Sequence, residues 1–181
     1  MRLLRHSWAL CVAAAAQFVA MTALEFLYFR RLSGGLASLD TRMFGFGAEE
    51  GMEWLTALGP TGREAVMVWH YLTFDLVFPL LSGAALASLV LASGSMLKGF
   101  AALPVRLQNL VGCVLVAPYV IADYAQNVAV GRLLSDSLEA DPSSLALASA
   151  LVVAKFAFLA VPVAIIAAFA LAGYLLRRQA R

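Results

Sequence analysis

A chain of 181 residues that is 62% hydrophobic and 13% charged departs from soluble domains, which average roughly 45 to 50% and 25%, and falls in the membrane class. Its formal net charge of +2 comes with no basic cluster beyond Arg177, Arg178 and Arg181, so nucleic acid is set aside as a partner. Cys11 and Cys113 are isolated and the only histidines are His6 and His70, so neither a redox motif nor metal-ligand spacing is present, and no metal or cofactor is expected.

The first apolar segment covers about residues 8 to 29. Arg2 and Arg5 precede it, and Met21-Thr22-Ala23 could pass for a signal-peptide cleavage triplet. Its ~20 apolar residues are of spanning length and exceed the ~7 to 15 of a signal-peptide core, so a retained helix is expected. Gln17, Met21 and Glu25 recur at four-residue steps and share one face. Glu25 near its end reads equally as a hydrated interfacial carboxylate or as a functional one.

Residues 30 to 64 form the one long polar connection, broken at Ser33-Gly34-Gly35, Gly45-Phe46-Gly47 and the turn cluster Gly59-Pro60-Thr61-Gly62. Within it, Ala48 to Leu58 carries Glu49, Glu50 and Glu53 beside Met52, Trp54, Leu55 and Leu58. That pattern predicts a short amphipathic helix, acidic where the helix dipole favours anions.

The second span, about 65 to 91, begins with Trp69 and Tyr71 as interfacial aromatics. Tyr71, Asp75, Phe78 and Ser82 fall along one helical face. Pro79 removes the backbone hydrogen bond to the carbonyl of Asp75 and leaves a free acceptor there. Gly83-x-x-x-Ala87 suits close helix packing. His70 is expected at the interface, on a different face from Asp75 and unpaired with it, and the two histidines lie too far apart to ligate a haem.

The third span, about 107 to 130, contains Pro118, Asp123, Tyr124, Gln126 and Asn127. Asp123 and Asn127 are one turn apart on one face. Asp141-Pro142-Ser143-Ser144 reads as the start of the fourth helix, whose span of about 144 to 176 includes Lys155 and Pro162.

The expected fold is therefore all-α: a polytopic membrane protein, one domain over 1–181, with a four-helix transmembrane bundle and a long outer loop containing the amphipathic helix. Four spans place both termini on one side. That side carries seven basic residues (Arg2, Arg5, Lys98, Arg106, Arg177, Arg178, Arg181) against five opposite (Arg30, Arg31, Arg42, Arg63, Arg132). The positive-inside rule then makes both termini cytoplasmic, in a bacterial inner membrane. Counting ~1.5 Å per residue from the outer ends sets Glu25 roughly 6 Å deep, Asp75 and Asp123 roughly 12 to 17 Å, and Lys155 roughly 17 Å. Charges facing lipid are disfavoured, so Asp75, Asp123 and Lys155 are expected to turn inward and pair, with Asn127 donating to the acids.

Three uses of such a cluster are open. It can be a structural network that fixes helix register. It can be an outward-opening pocket for a lipid-like or small amphipathic ligand, formed by Asp75, Asp123, Asn127, Lys155, Tyr71 and Arg63 and gated by the acidic loop helix. Or Asp75 and Asp123 can serve a membrane hydrolase as acid and base. The motifs of lipoprotein signal peptidases and the Gly-x-Gly-Asp of presenilin-like proteases are absent. Expected partners are membrane lipids, a small amphipathic ligand and, for transport, a second copy of the chain.

Leu58-Gly59-Pro60-Thr61-Gly62-Arg63, Asp75-Leu76-Val77-Phe78-Pro79 and Asp123-Tyr124-Ala125-Gln126-Asn127 resemble the pattern Gly-Arg, Asp-x-x-Phe-Pro, Asp-x-x-Glu-Asn of a family of small four-helix bacterial membrane proteins to which no activity is attached. The resemblance covers about residues 45 to 130. It implies that Arg63, Asp75, Asp123 and Asn127 act together. Gln126 stands where the family pattern has Glu, so a role that needs that acid does not carry over.

Overall fold

The structure, a computed structural model, describes residues 7–136 and 140–179; Arg2, Arg5, His6, Glu139 and Arg181 lie outside the described residues. Every described element is helical. Helix α1 is Ser7–Leu24, extended by a π-helical turn Glu25–Phe29 and a last turn Arg30–Leu32. After a 3-10 turn at Leu39–Thr41 comes α2, Ala48–Val66. A π-helical stretch, Met67–Phe74, joins it to α3, Asp75–Gly94. A short helix Lys98–Ala101 leads to α4, Val105–Ser135, and the chain ends with α5, Pro142–Gln179. Four stretches, Trp8–Leu32, Ala48–Gly94, Val105–Ser135 and Pro142–Gln179, are long and apolar enough to cross a membrane.

The connection differs from the sequence expectation in one respect. The loop helix does not stop at the Gly-Pro-Thr-Gly cluster. Gly59 turns the chain with φ 60° and ψ −179°, and the helix resumes at Pro60 and runs into the second span. Glycine tolerates that positive φ, and proline is at home in the first turn of a helix because its missing N–H would have no partner there. The cluster thus makes a kink, and only residues 33–47 remain as an irregular connection.

Helix α3 is central: α1, α4 and α5 all pack on it, and α4 and α5 pack along each other. Gly83 makes the α3–α4 approach close, since a Cβ there would lie 2.6 Å from Val120 Cγ2. On α2 the buried positions Gly51, Trp54, Leu55, Leu58, Gly62 and Val66 recur at three- and four-residue steps, the signature of a one-sided helix. That face closes a core with Phe29, Leu39 and Phe46, with Val130, Leu133 and Leu134 of α4, and with Leu145, Ala148 and Val152 of α5. Elsewhere the long helices expose large apolar side chains such as Phe18, Leu80, Val114, Ile121 and Val163, the reverse of a water-facing helix.

Both predicted helix starts have their capping chemistry. Glu50 Oε2 accepts the Gly47 N–H at 2.9 Å, one arm of a capping box. Asp141 Oδ1 accepts the Ser144 N–H at 2.6 Å and the Ser143 hydroxyl at 2.9 Å, with Pro142 following it. These bonds, the Ser144 N–H first, hold the Asp141 carboxyl below the usual carboxylate range.

Candidate functional site

The site is assembled where residues 33–47 fold back over the helix ends. Glu25 is buried and anchors that segment: its carboxylate accepts the Ser38 N–H at 3.0 Å, the Ser38 hydroxyl, and Arg30 Nε at 3.2 Å. Of the two sequence readings of Glu25, the hydrated one is excluded by its burial. Arg42 braces the same segment by donating twice to the Ala37 carbonyl. The turn Leu39–Thr41 is thereby pinned, and Asp40 on it points inward, with Oδ2 3.0 Å from His70 Nε2. Burial opposes ionisation of Asp40, but a positive charge on His70 outweighs it and holds the carboxyl below the usual carboxylate range.

His70 corrects the sequence expectation of an interfacial residue unpaired with Asp75. It is buried, and its Nε2 lies 3.3 Å from Asp75 Oδ2. In an α-helix, residues five apart point about 140° away from each other. Here the Asp75 N–H donates to the His70 carbonyl five residues back, and that wider turn stacks the two side chains on one face. The His70 and Phe29 rings meet edge to face with centroids 5.8 Å apart, joining the two π-helical segments.

The kink at Pro79 has its consequence one turn earlier. The freed Asp75 carbonyl accepts from Asn127 Nδ2 at 3.2 Å. Its neighbours are also taken: Gln17 Nε2 donates to the Phe74 carbonyl at 2.7 Å, and the Tyr124 hydroxyl to the Leu76 carbonyl at 2.8 Å. Helices α1 and α4 are tied in this way to three consecutive carbonyls of the break. Asn127 therefore serves the backbone of Asp75, not its carboxylate as expected.

Lys155 enters from α5. Its Nζ is 3.2 Å from Asp123 Oδ1 and donates to Gln126 Oε1 at 2.8 Å. Asn127, one turn beyond Asp123 on α4, bonds the Asp75 backbone, so the two halves adjoin. The structure thus brings together Asp75, Asp123, Asn127, Lys155 and Tyr71. It does not bring Arg63 to them: that residue sits twelve positions before Asp75 on the same continuous helical stretch, and no hydrogen bond or ion pair joins it to the cluster. Nor does a hydrogen bond join Asp75 to Asp123. Each faces its own partner, His70 or Lys155, which is not the shared-proton arrangement of an aspartic dyad.

Asp40, His70 and Gln126 are the members that sequence reasoning missed. Asp40 lies in an irregular segment without periodicity, and only Pro79 hinted that the helix near His70 was irregular. Several buried polar atoms have no hydrogen-bond partner: Asp40 Oδ1, the Tyr71 hydroxyl, Gln126 Nε2 and Asn127 Oδ1. Such atoms typically cost about 1 to 3 kcal/mol each, and their presence calls for a reason.

The cluster borders a lateral groove of about 420 Å³ between the π-helical stretch with the first residues of α3 on one side and the second half of α4 on the other. Met67, Leu72 and Leu76 form one apolar wall, and Val128 and Gly131 the other. Tyr71, Asp75 and Asn127 give it a polar part, and Arg132 and Ser135 lie farther along α4. Comparison of the chain with protein-family models, with curated proteins and with solved structures returns no match. The resemblance to the four-helix family therefore rests on its motifs alone.

Proposed function

We propose that the protein is a multi-pass protein of a bacterial plasma membrane, with both termini cytoplasmic, that binds or helps to move a lipid-like or small amphipathic ligand in the lateral groove. The observation that carries this reading is the lining of the groove, where apolar walls meet a polar part made by Tyr71, Asp75 and Asn127. A volume of about 420 Å³ lies within the range of ligand sites, roughly 300 to 1,000 Å³, and apolar walls with a few convergent polar groups are their usual composition. Tyr71 can donate and Asn127 Oδ1 can accept, a pair that suits a hydroxyl or amide at the polar end of an acyl chain. The bias of basic residues supports the orientation, which puts the groove in the outer half of the bilayer.

The hydrolase alternative has less support, because Asp75 and Asp123 are each engaged by a separate partner. Native mass spectrometry of the full chain, released from mild detergent, tests the proposal. A specific amphipathic molecule should remain bound to the wild type and be lost in Val128→Trp, which fills the groove from an exposed position. Equal retention in both proteins refutes the groove as its seat.

A further inference from the structure

We propose that Asp40, His70 and Asp75 form a binding site for a divalent transition-metal ion of the zinc type. The three residues come from two backbone segments, the turn carrying Asp40 and the helical stretch carrying His70 and Asp75, and their potential ligand atoms all lie within 4.8 Å of one another, every residue buried. His70 Nε2 stands 3.0 Å from Asp40 Oδ2 and 3.3 Å from Asp75 Oδ2. Tetrahedral coordination at about 2.0 to 2.2 Å places neighbouring ligand atoms about 3.3 Å apart, so an ion can be received with little movement. One imidazole with two carboxylates suits zinc, manganese or ferrous iron better than magnesium or calcium, which prefer oxygen alone.

Charge and satisfaction point the same way. Three buried carboxylates, Asp40, Asp75 and Asp123, accompany the single ammonium of Lys155, and a divalent cation bound to a neutral His70 would balance them, as a proton on His70 does in part. Asp40 Oδ1 lacks a hydrogen-bond partner, and the Tyr71 ring packs edge-on against His70 with 4.8 Å between centroids. Glu25 holds the segment that carries Asp40 through Ser38, the kind of outer support that orients metal ligands. Asp75 and Tyr71 also line the groove, which gives an ion a path inward. The site stands whatever the groove holds. The competing arrangement is a protonated His70 clamped between two carboxylates with no affinity for metal.

The test uses the full chain in detergent, with a histidine-free tag and His6→Asn throughout, stripped by chelator and titrated with zinc chloride alone. The expected result is saturable uptake of one equivalent, weakened by more than about tenfold in His70→Ala and in Asp40→Asn and retained in Asp123→Asn. Absence of saturable uptake, or equal uptake in His70→Ala, overturns the site. Should those variants fail to fold, zinc-edge X-ray absorption of the loaded protein with His70 intact decides. One imidazole among oxygen ligands supports the site, and a spectrum without imidazole overturns it.

Discussion

Replacing Lys155 by Met removes the one ammonium that faces the buried carboxylates while keeping most of the side-chain volume. Nζ lies 3.2 Å from Asp123 Oδ1, a separation at which two unit charges attract by about 5 kcal/mol at an effective dielectric constant of ~20. Much of that attraction is offset by the desolvation of both groups, so the pair itself is worth less. Breaking it from one side is another matter, because Asp123, 2% exposed, is left charged and unpaired; such losses run about 3 to 5 kcal/mol. For a chain of this length that corresponds to a fall in Tm of roughly 6 to 20 °C. The assay is thermal unfolding in detergent, run as a double-mutant cycle. Lys155→Met combined with Asp123→Leu should recover at least about 2 kcal/mol relative to Lys155→Met alone, since the stranded charge is gone. A Lys155→Met protein as stable as wild type, or a double variant no better than the single one, refutes the reasoning.

Three further outcomes are expected. Gly83→Ala should lower stability by about 1 to 3 kcal/mol in the same assay, because the new Cβ would lie 2.6 Å from the branched Val120 side chain. Glu25→Ala should release the segment pinned through Ser38, so limited proteolysis should cut residues 33–47 faster while α4 and α5 stay protected. The capping contribution of Asp141, whose carboxyl is held low by its bonds to Ser144 and Ser143, is present above the ordinary carboxylate pKa and lost as pH falls through the lowered value. Hydrogen-exchange protection of the Ser144 amide should therefore decline in acid in the wild type, and stay level in Asp141→Asn, where the amide caps at any pH.

The four long helices were legible because apolar runs of spanning length are a strong signal, and the start of α5 because Asp141-Pro142-Ser143-Ser144 carries its own capping chemistry. Pro79 was informative for the same reason: a missing N–H has a definite address, and the Asp75 carbonyl it frees takes Asn127. The facing of Asp75, Asp123 and Lys155 followed from the cost of a charge against an apolar surrounding. What escaped depended on departures from α-helical geometry or on tertiary contact. The spacing of His70 and Asp75 argues against a pair unless the helix widens to five residues per hydrogen bond. Asp40 reaches the cluster only because Glu25 and Arg42 fold its segment back, and nothing periodic in the sequence encodes that. The Gly59-Pro60 cluster carries the residues of a turn that ends a helix, whereas one positive φ at Gly59 bends the chain and Pro60 restarts it.

The central claim is that the groove holds a ligand with some specificity, beyond the general contact of apolar helices with lipid. Two exposed apolar positions separate these cases: Leu72, on the groove wall, and Ile121, on α4 outside it. A photoreactive benzophenone amino acid at each position, irradiated in native membranes and followed by mass spectrometry of the purified chain, gives the most direct measurement. The account predicts one discrete amphipathic adduct at Leu72, abolished by Val128→Trp, and only a mixture of bulk lipids at Ile121. The same mixture at both positions would contradict it.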